Sequence, residues 1–483
     1  MNFPNKVTHF INGLHNYDGT DTFKNINPHN GKTINEVIRG NTNTVNTAIK
    51  SARNAQPAWS SKTPVERGQI LYKICLAMEE RSDELAEIIA VETGKILREA
   101  HGEVAGGIAL GRFFAGEGQR LFGRSLPSGV INKVSTTVRT PMGVAGLVIA
   151  ANTPIANFCW KVFPALICGN TVVLKASEDA PYLSTRMAEI FTAAGLSEGC
   201  LNILQGFGND VGQPLVESKD IDVISFTGST KVGRIIAEAA AKNLTKVSLE
   251  LGGKNPLFVC EDADIELAIH WTCLSAFSNA GQRCSSASRI IIHNDIYDDF
   301  VKRLIKATKL LKLGIEDDCF LGPLISKHQL NNIRKSIATA VEGGANLLYG
   351  GDSPSSEGFY LTPTIIENIS PKDNINNDEL FGPVAQLYKV SSFQEGIDLC
   401  NNSPYGLTAA IHTTNINKGM QFAQNVRVGV AMINGGTYGS EPHMPFGGFG
   451  ISGNGTREPG TEALDIYSEL KNICQIIHPL ENC

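Results

Sequence analysis

The stretch from Val223 to Gly233, VISFTGSTKVG, joins a short apolar run to a glycine-containing turn and a helix-forming segment. Similar β-branched runs lie on both sides of it, and helix-forming stretches such as Tyr182–Ala194 and Lys231–Ala241 separate them. The runs are Val144–Ala150, Thr171–Lys175, Leu201–Leu204, Val223–Phe226 and Val247–Leu251. Strands that alternate with helices form buried parallel sheets through right-handed crossovers. The pattern therefore predicts an α/β fold.

A second alternating region follows Gly253, so we expect a domain boundary near Gly252-Gly253. Its predicted strands are Arg289–His293, Val384–Val390, Thr408–Thr413 and Gly429–Ile433, and a helix capped near Asp295 is predicted through Leu311. Residues 63–100 are predicted to be helical. Thr63-Pro64-Val65-Glu66 is a capping box with proline at the first helical position.

Composition excludes several classes of protein. The chain has 483 residues and a net charge of −6, which argues against a nucleic-acid binder. The longest apolar run, Met142–Ala151, is strand-sized and too short to span a membrane, and Met1–Leu14 lacks the pattern of a secretory signal. Eleven cysteines without CxxC pairs indicate reduced thiols in a cytoplasm, and ten scattered histidines predict no metal site.

Two segments have the residue types expected at a nucleotide site. Gly228 and Ser229 lie where a strand ends and a helix begins, and Gly233 follows in a GxxxxG spacing. A helix N-terminus at such a turn favours a pyrophosphate, although an ordinary glycine-containing turn has the same pattern. Lys175 ends a strand, and Glu178 could accept a hydrogen bond from a ribose hydroxyl. A carboxylate there would repel a 2′-phosphate and favour NAD over NADP.

Three further residues are candidates for chemistry. Glu250 ends an apolar strand, where burial would raise its pKa towards the range of a general base, but a salt bridge with Lys254 is an equal alternative. Cys284 lies in a polar, glycine-led segment, where Arg283 could favour its thiolate, whereas the other ten cysteines are predicted to be buried hydrophobes. Asn152 follows the first strand and could donate to an oxyanion.

The order and spacing of these segments resemble the aldehyde dehydrogenase superfamily. The matching segments are Asn152, Val172–Glu178, Phe226–Gly233, Leu249–Pro256, Gly281–Cys284, Glu379–Pro383 and Pro445–Gly448. The resemblance implies that Cys284 is the nucleophile, Glu250 the general base and Asn152 the oxyanion donor. It also implies cofactor contacts from Lys175, Glu178, Gly228, Ser229, Gly233, Glu379 and Phe381, with NAD as the expected cofactor and NADP as the other candidate.

The same resemblance implies a Rossmann-like cofactor domain, an α/β catalytic domain and a small β oligomerisation element. The expected ranges are 1–122 with 142–251, then 252–450, then 123–141 with 451–483, in a homodimer or homotetramer. The implied reaction oxidises an aldehyde to the acid through a Cys284 thioester that Glu250-activated water hydrolyses. A coenzyme-A-acylating enzyme and a catalytically silent structural relative are the alternatives.

One segment departs from the resemblance. Many members have aromatic residues on both sides of the oxyanion asparagine, in a Pro-Trp-Asn-Phe-Pro run, whereas here Ala151 and Thr153 flank Asn152. The small side chains predict a wider or more polar pocket. Together with Ser285, Ser286 and Thr437, they lead us to expect a polar aldehyde or a semialdehyde as substrate.

Overall fold

A computed structural model describes residues 3–19, 21–354 and 357–478 of the chain. In the described part, the strands are β1 Lys6–Val7, β2 His9–Ile11, β3 Leu14–Asn16, β4 Asp21–Ile26, β5 Thr33–Arg39, β6 Ser125–Leu126, β7 Lys133–Pro141, β8 Val144–Val148, β9 Thr171–Lys175, β10 Leu201–Leu204, β11 Val223–Thr227, β12 Lys246–Glu250, β13 Asn255–Val259, β14 Ala287–His293, β15 Asn346–Tyr349, β16 Thr364–Glu367, β17 Val384–Val390, β18 Tyr405–Gly406, β19 Thr408–His412, β20 Val430–Ile433, β21 Phe449–Gly450 and β22 Ser468–Ile476.

The α-helices in the same ranges are α1 Thr42–Ser61, α2 Pro64–Glu79, α3 Ser82–Thr93, α4 Leu97–Glu117, α5 Pro154–Ile167, α6 Pro181–Ala193, α7 Gln213–Glu217, α8 Thr230–Ala241, α9 Ile265–Phe277, α10 Tyr297–Thr308, α11 Lys327–Glu342, α12 Asn374–Asn377, α13 Phe393–Asn401, α14 Ile416–Asn425 and α15 Ala463–Tyr467. The predicted Thr63–Glu66 capping box is present at the start of α2. None of these helices is long and apolar enough to cross a membrane.

Two seven-stranded sheets organise the described chain. The first has the order β12-β11-β8-β9-β10-β2-β3, and the five strands β8 to β12 are parallel. The second has the order β15-β16-β17-β14-β13-β19-β20 and is parallel apart from the β15–β16 pair. The α/β prediction is therefore confirmed, with strand ends within one or two residues of those expected.

The registers of the first sheet explain where the site lies. Thr227 pairs with Glu250, and Val148 pairs with Lys175, so the carboxyl ends of four strands lie along one edge. Ligands of parallel sheets bind at this edge. The sheet is held in place by apolar side chains on both faces, including the fully buried Leu147, Val173 and Ile224.

A third, antiparallel sheet lies apart from the other two, in the order β22-β7-β6. β22 pairs with β7 along nine residue pairs, from Ser468–Pro141 to Ile476–Lys133. After Ser468 every residue of β22 is exposed. The ranges 123–141 and 451–478 thus supply all three strands of this sheet, while residues 479–483 of the predicted oligomerisation element lie outside the described chain.

Candidate active site

The carboxyl edge of the first sheet opens into two adjoining cavities. The first, about 410 Å³, is lined by Asn152, Glu250, Cys284, Glu379 and other residues. The second, about 530 Å³, extends from the first towards Lys175 and Glu178. Six residues line both cavities, namely Ala150, Asn152, Thr227, Gly228, Gln329 and Phe381. Apart from Gly233, the predicted catalytic and cofactor residues therefore line one continuous cleft.

The segment before Cys284 has an unusual backbone. Asn279 and Ala280 have φ values of +52° and Gly281 has a φ of +67°, so three successive residues adopt the left-handed conformation. A Cβ atom at Gly281 would lie 2.2 Å from the carbonyl oxygen of Gly382, which only glycine tolerates. Left-handed non-glycine residues are costly and are concentrated at functional sites. This backbone presents Cys284 to the first cavity.

Arg283 does not point towards the thiol. Its guanidinium donates to Ser278 Oγ at 2.5 Å, lies 3.4 Å from a Glu99 carboxylate oxygen, and stacks 4.8 Å from the ring centre of Tyr438. Burial, followed by the charges of Glu379 and Glu250, raises the pKa of Cys284 to about 12. The expectation that Arg283 promotes thiolate formation is therefore wrong. Such a pKa favours the protonated thiol over the thiolate.

Glu250 is the base candidate with no structural partner. Its side chain is buried, and neither carboxylate oxygen has a hydrogen-bond partner in the described chain. Burial and the nearby Glu458 carboxylate raise its pKa well above the ordinary value, although Lys161 and Arg457 act in the opposite direction. Lys254 instead donates to the carbonyl oxygens of Ile375 and Asp378. The structure thus rejects the Glu250–Lys254 salt bridge.

A fully buried ion pair lies beside Glu250. Lys161 Nζ is 2.7 Å from Glu458 Oε2, and both side chains have no exposed surface. Ser225 Oγ accepts from Lys161 at 2.6 Å and donates to Glu458 Oε1 at 2.8 Å. Tyr467 donates to the same Glu458 oxygen at 3.3 Å. Because the pair is satisfied internally, neither charge is available to neutralise Glu250 directly.

Three polar atoms of Asn152 have hydrogen-bond partners, namely Nδ2, Oδ1 and the carbonyl oxygen. Its Nδ2 donates to the carbonyl oxygen of Gln282 at 2.9 Å, and its Oδ1 accepts from Asn157 Nδ2 at 3.3 Å. Its carbonyl oxygen accepts from Lys95 Nζ at 3.0 Å and from Asn279 Nδ2 at 3.3 Å. An amide nitrogen carries two hydrogens. One is used by Gln282, so the second is free to donate into the cavity.

The second cavity contains most of the predicted cofactor residues. Lys175 Nζ lies 2.5 Å from Glu178 Oε2 at the end of β9. Gly228 lines both cavities, and Ser229 caps α8 by accepting from the Val232 N–H at 3.3 Å. The N-terminal end of this twelve-residue helix therefore faces the cleft, where a phosphate group would be stabilised.

Gly233 lies elsewhere than the resemblance implies. It lines neither cavity, and a Cβ atom on it would lie 2.6 Å from Leu251 Cδ2. Its small size lets α8 pack closely on the residue that follows β12. Gly233 is thus a packing residue that sets the position of the turn.

Glu379 and Phe381 reach the site from a loop before β17. Glu379 Oε1 accepts from the Gly253 N–H at 3.1 Å, and burial raises the pKa of Glu379 to about 7. Phe381 has a φ of +54°, and Gln329 Nε2 donates to the carbonyl oxygens of Leu380 and Phe381 at 2.6 and 3.2 Å. Gln329 thus holds this strained loop in the wall that the two cavities share.

Comparison with known proteins agrees with this geometry. A model of the aldehyde dehydrogenase family matches residues 16–473. The chain belongs to the aldehyde dehydrogenase family. Like other members of that family, it is an enzyme that oxidises an aldehyde.

Individual members of the family differ in substrate and cofactor. The α-ketoglutaric semialdehyde dehydrogenase of Bacillus subtilis is 38% identical over 97% of this chain and 98% of its own. The crystal structure of lactaldehyde dehydrogenase from Escherichia coli has a TM-score of 0.95 and 32% identity, over 98% of this chain and all (100%) of that chain. Betaine aldehyde dehydrogenase from Staphylococcus aureus in complex with NAD⁺ has a TM-score of 0.95 and 33% identity, over 98% of this chain and 95% of that chain. One further solved relative is an NADP-dependent enzyme of E. coli.

Several residues of this aldehyde dehydrogenase site were not singled out from the sequence. Trp160 and Phe446 form one wall of the first cavity, with ring centres 5.4 Å apart. Gln329, Lys161 and Glu458 come from segments with no recognisable motif. A buried lysine on an otherwise apolar helix was the only signal for Lys161, because such a charge requires a partner.

The residues expected to shape a polar pocket divide into two groups. Thr153 lines the first cavity. Thr437 Oγ1 donates to the carbonyl oxygen of Ser285 at 2.6 Å, and Ser286 Oγ accepts from the Arg283 N–H at 3.2 Å. Thr437, Ser285 and Ser286 do not line that cavity and instead hold the backbone around Cys284.

One group in the described chain has ligands of the type that bind metals. Cys260, Glu261 and Asp262 lie close together beyond the end of β13. Lys418 pairs with both carboxylates, and Thr413 donates to Asp262. These contacts already stabilise the carboxylates, and the group lines neither of the two cavities, so we assign it no role in the reaction.

Proposed function

We propose that this chain oxidises a compact aldehyde to its carboxylic acid, with Cys284 as nucleophile, Glu250 as general base and Asn152 as oxyanion donor. The observation that carries the proposal is the unpartnered Glu250 carboxylate, which lines the same cavity as the Cys284 thiol and the Asn152 amide. A buried carboxylate without a partner is costly in free energy. Its placement beside a protonated thiol is what a proton-accepting role requires.

The residues suggest a definite sequence of steps. Glu250 accepts the Cys284 proton, the sulfur bonds to the aldehyde carbon, and the carbonyl oxygen becomes an oxyanion that the Asn152 amide N–H stabilises. NAD held by residues of the second cavity such as Lys175 and Glu178 would supply the acceptor for the hydride of this carbon. Cys284 then holds the acyl group as a thioester. Glu250, which has released the first proton to solvent, removes a proton from water, and the resulting hydroxide attacks the thioester carbon. The C–S bond breaks, the acid leaves, and Glu250 returns its proton to the Cys284 sulfur.

The second cavity fits NAD. Lys175 and Glu178 lie at a strand end where ribose hydroxyls are bound in such folds, and the N-terminus of α8 faces the same space. Glu379 and Phe381 extend the cleft towards Cys284, where a nicotinamide ring has to lie. The Glu178 carboxylate would repel a 2′-phosphate, which supports NAD over NADP.

The first cavity favours a small, uncharged, polar substrate. Beyond Cys284 its walls are Thr153, Ala156, Asn157, Trp160 and Phe446, and none of its described lining residues is basic. The distal carboxylate of a semialdehyde would find no counter-charge there. Arg283 is already paired with Glu99. We therefore propose a polar aldehyde, with a carboxylated semialdehyde as the alternative that the substrate panel has to test.

The experiment is a panel of aldehydes, with kcat/KM measured for a hydroxyaldehyde, a carboxylated semialdehyde and a long alkanal, each with NAD and with NADP. We expect the hydroxyaldehyde with NAD to give the largest value. A preference for the long alkanal would contradict the proposed pocket. Aldehyde-dependent NADH formation that requires coenzyme A would favour an acyl-transferring enzyme instead of a hydrolytic one.

Two variants test the residue roles. Cys284→Ala should abolish turnover and leave folding intact, whereas Cys474→Ala, at an exposed thiol of β22, should not change turnover. Glu250→Gln should slow the first turnover, because Cys284 loses its proton acceptor, and should nearly stop steady-state NADH formation, because the thioester is no longer hydrolysed. Full turnover by Cys284→Ala would refute the role of Cys284 as the nucleophile. Such activity would also exclude a catalytically silent protein.

We also propose the wider organisation of the chain. The cofactor domain comprises residues 1–122 and 142–251, and the catalytic domain comprises residues 252–450. The exposed edge strand β22 supports self-association through residues 123–141 and 451–483 into a homodimer or homotetramer, because an unpaired exposed edge is a template for pairing. The ten described cysteines are all free, which supports the reducing cytoplasm as its location.

A further inference from the structure

We propose that three charged residues, Lys95, Glu99 and Glu103, position the Asn152 amide against the Cys284 segment, and we call them the α4 charge row. The inference rests on the proposed role of Asn152 as oxyanion donor. Glu99 and Glu103 are four residues apart and therefore share one face of α4, and Lys95 lies two residues before that helix. None of the three contacts the reacting atoms, so they are positioning residues.

The first contact of the row is to the backbone of Asn152. Lys95 Nζ donates to the Asn152 carbonyl oxygen at 3.0 Å and forms an ion pair with Glu103. The side chains of Lys95 and Glu103 are only 3% and 7% exposed, so the pair is shielded from water. A buried charge that loses its partner is strongly unfavourable. The ion pair of Lys95 and Glu103 therefore fixes the position of the Asn152 backbone at the edge of the cavity.

The second contact is to the helix that follows Asn152. Glu103 Oε1 accepts from the N–H groups of Ile155 and Ala156 at 3.0 and 3.3 Å. The residue before α5, Thr153, makes no side-chain cap of its own. Glu103 thus supplies the missing cap from another helix, and its negative charge is favourable at a helix N-terminus. Asn152 is consequently held both at its own carbonyl oxygen, by Lys95, and through the helix that follows it, by Glu103.

The third contact reaches the nucleophile's segment. Glu99 Oε1 accepts from the Asn279 N–H at 2.9 Å and lies 3.4 Å from Arg283 Nη2. Asn279 is one of the left-handed residues that lead to Cys284. The α4 charge row therefore binds the oxyanion donor through Lys95 and Glu103, and the nucleophile's segment through Glu99. Helix α4 therefore sets the distance between the oxyanion donor and the segment of the nucleophile.

The small neighbours of Asn152 explain why such a row is needed. The side chains of Ala151 and Thr153 are small and therefore provide little packing to hold the loop that contains Asn152. Catalytic groups have to be held within about 0.5 Å of their productive geometry, and a displacement of about 1 Å can lower the rate about a hundredfold. In this chain, ion pairs and hydrogen bonds provide that restraint in place of aromatic packing.

The test is a double-mutant cycle between Lys95→Met and Asn152→Ala, read as kcat of NADH formation. Asn152→Ala alone should lower kcat by about 10²–10³-fold, as loss of an oxyanion donor does elsewhere. Lys95→Met should lower kcat about 10- to 100-fold in the parent enzyme but less than about threefold when Asn152 is already alanine, because no amide is then left to position. The Kd of NAD should stay constant in each variant.

The control is Arg112→Met, which removes an exposed ion pair with Glu79 from the same helix and should leave kcat unchanged. If Lys95→Met does not fold, Glu103→Gln replaces it, because glutamine keeps an oxygen for the α5 N–H groups while losing the charge. An equal loss of kcat in both backgrounds, or no loss in either, would overturn the positioning role. If Asn152→Ala itself keeps full kcat, the proposed oxyanion donor is wrong, which is a distinguishable failure.

Discussion

The buried pair of Lys161 and Glu458 allows a quantitative prediction from the substitution Lys161→Met. Both side chains have no exposed surface, and the other side chains that hydrogen-bond the Glu458 carboxylate in the described chain, Ser225, Ser248 and Tyr467, are uncharged. Removing the ammonium leaves a buried carboxylate without a counter-charge. Loss of one partner of a buried pair costs about 3–5 kcal/mol of the free energy of unfolding. Stability is only about 5–15 kcal/mol for a typical protein, so the effect is a large fraction of the total.

The assay is urea denaturation followed by circular dichroism, with Arg112→Met as a control because exposed pairs contribute about 0–1 kcal/mol. The double variant Lys161→Met/Glu458→Gln should regain at least about 2 kcal/mol relative to Lys161→Met, because glutamine keeps the Ser225 contact and carries no charge. A loss below about 1 kcal/mol for Lys161→Met, or additive effects in the double variant, would refute the account of a mutually dependent pair.

Further predictions concern residues around the cleft. Glu250→Gln should raise the free energy of unfolding at neutral pH by about 0.5–2 kcal/mol. The reason is that burial raises the pKa of the Glu250 carboxyl, so the folded parent protein loses stability as the pH rises from the pKa of the unfolded state towards that of the folded state. Equal free energies of unfolding for the variant and the parent at pH 8 would contradict this. Glu458→Gln removes a charge that raises the pKa of Glu250, so the acid limb of the kcat profile should move to lower pH; a shift to higher pH would be inconsistent with Glu250 as the base. Glu178→Gln should improve kcat/KM for NADP relative to NAD about tenfold, or about 1.4 kcal/mol, and an unchanged ratio would remove Glu178 from cofactor selection. Gly233→Ala should cost about 1–3 kcal/mol of stability through contact with Leu251, as measured by urea denaturation, and a loss of NAD affinity without a loss of stability would show that Gly233 acts on the ligand.

The sheet strands could be predicted from sequence because their cause is local. Runs such as Thr171–Lys175 and Leu201–Leu204 are apolar and β-branched, and both match the observed strands at each end. The charged residues Lys175 and Glu250 were expected at the carboxyl edge of the sheet because parallel strands bring these ends together, and both line the cleft at that edge. For these elements, the pattern of side chains and the topology it implies were sufficient.

Contacts between distant segments could not be predicted in this way. The Lys161–Glu458 pair joins residues 297 positions apart, and nothing in either segment names the other. Arg283 is adjacent to Cys284 in sequence, yet its guanidinium turns towards Glu99, because neighbouring side chains need not share a direction. Gly233 fits a phosphate-binding spacing but packs on Leu251. Spacing identifies which segments meet, whereas the direction of each side chain depends on the tertiary structure.

The wall shared by the two cavities has a consequence for redesign of this enzyme. Ala150, Asn152, Thr227, Gly228, Gln329 and Phe381 face both the presumed nucleotide space and the reacting aldehyde. A substitution at any of these positions alters the selectivity for the coenzyme and the selectivity for the aldehyde together. Neither natural variation nor a laboratory library can therefore change one of them alone at these positions. Independent adjustment of coenzyme and substrate choice is confined to the far ends of the cleft, at Glu178 on one side and at Thr153 and Trp160 on the other.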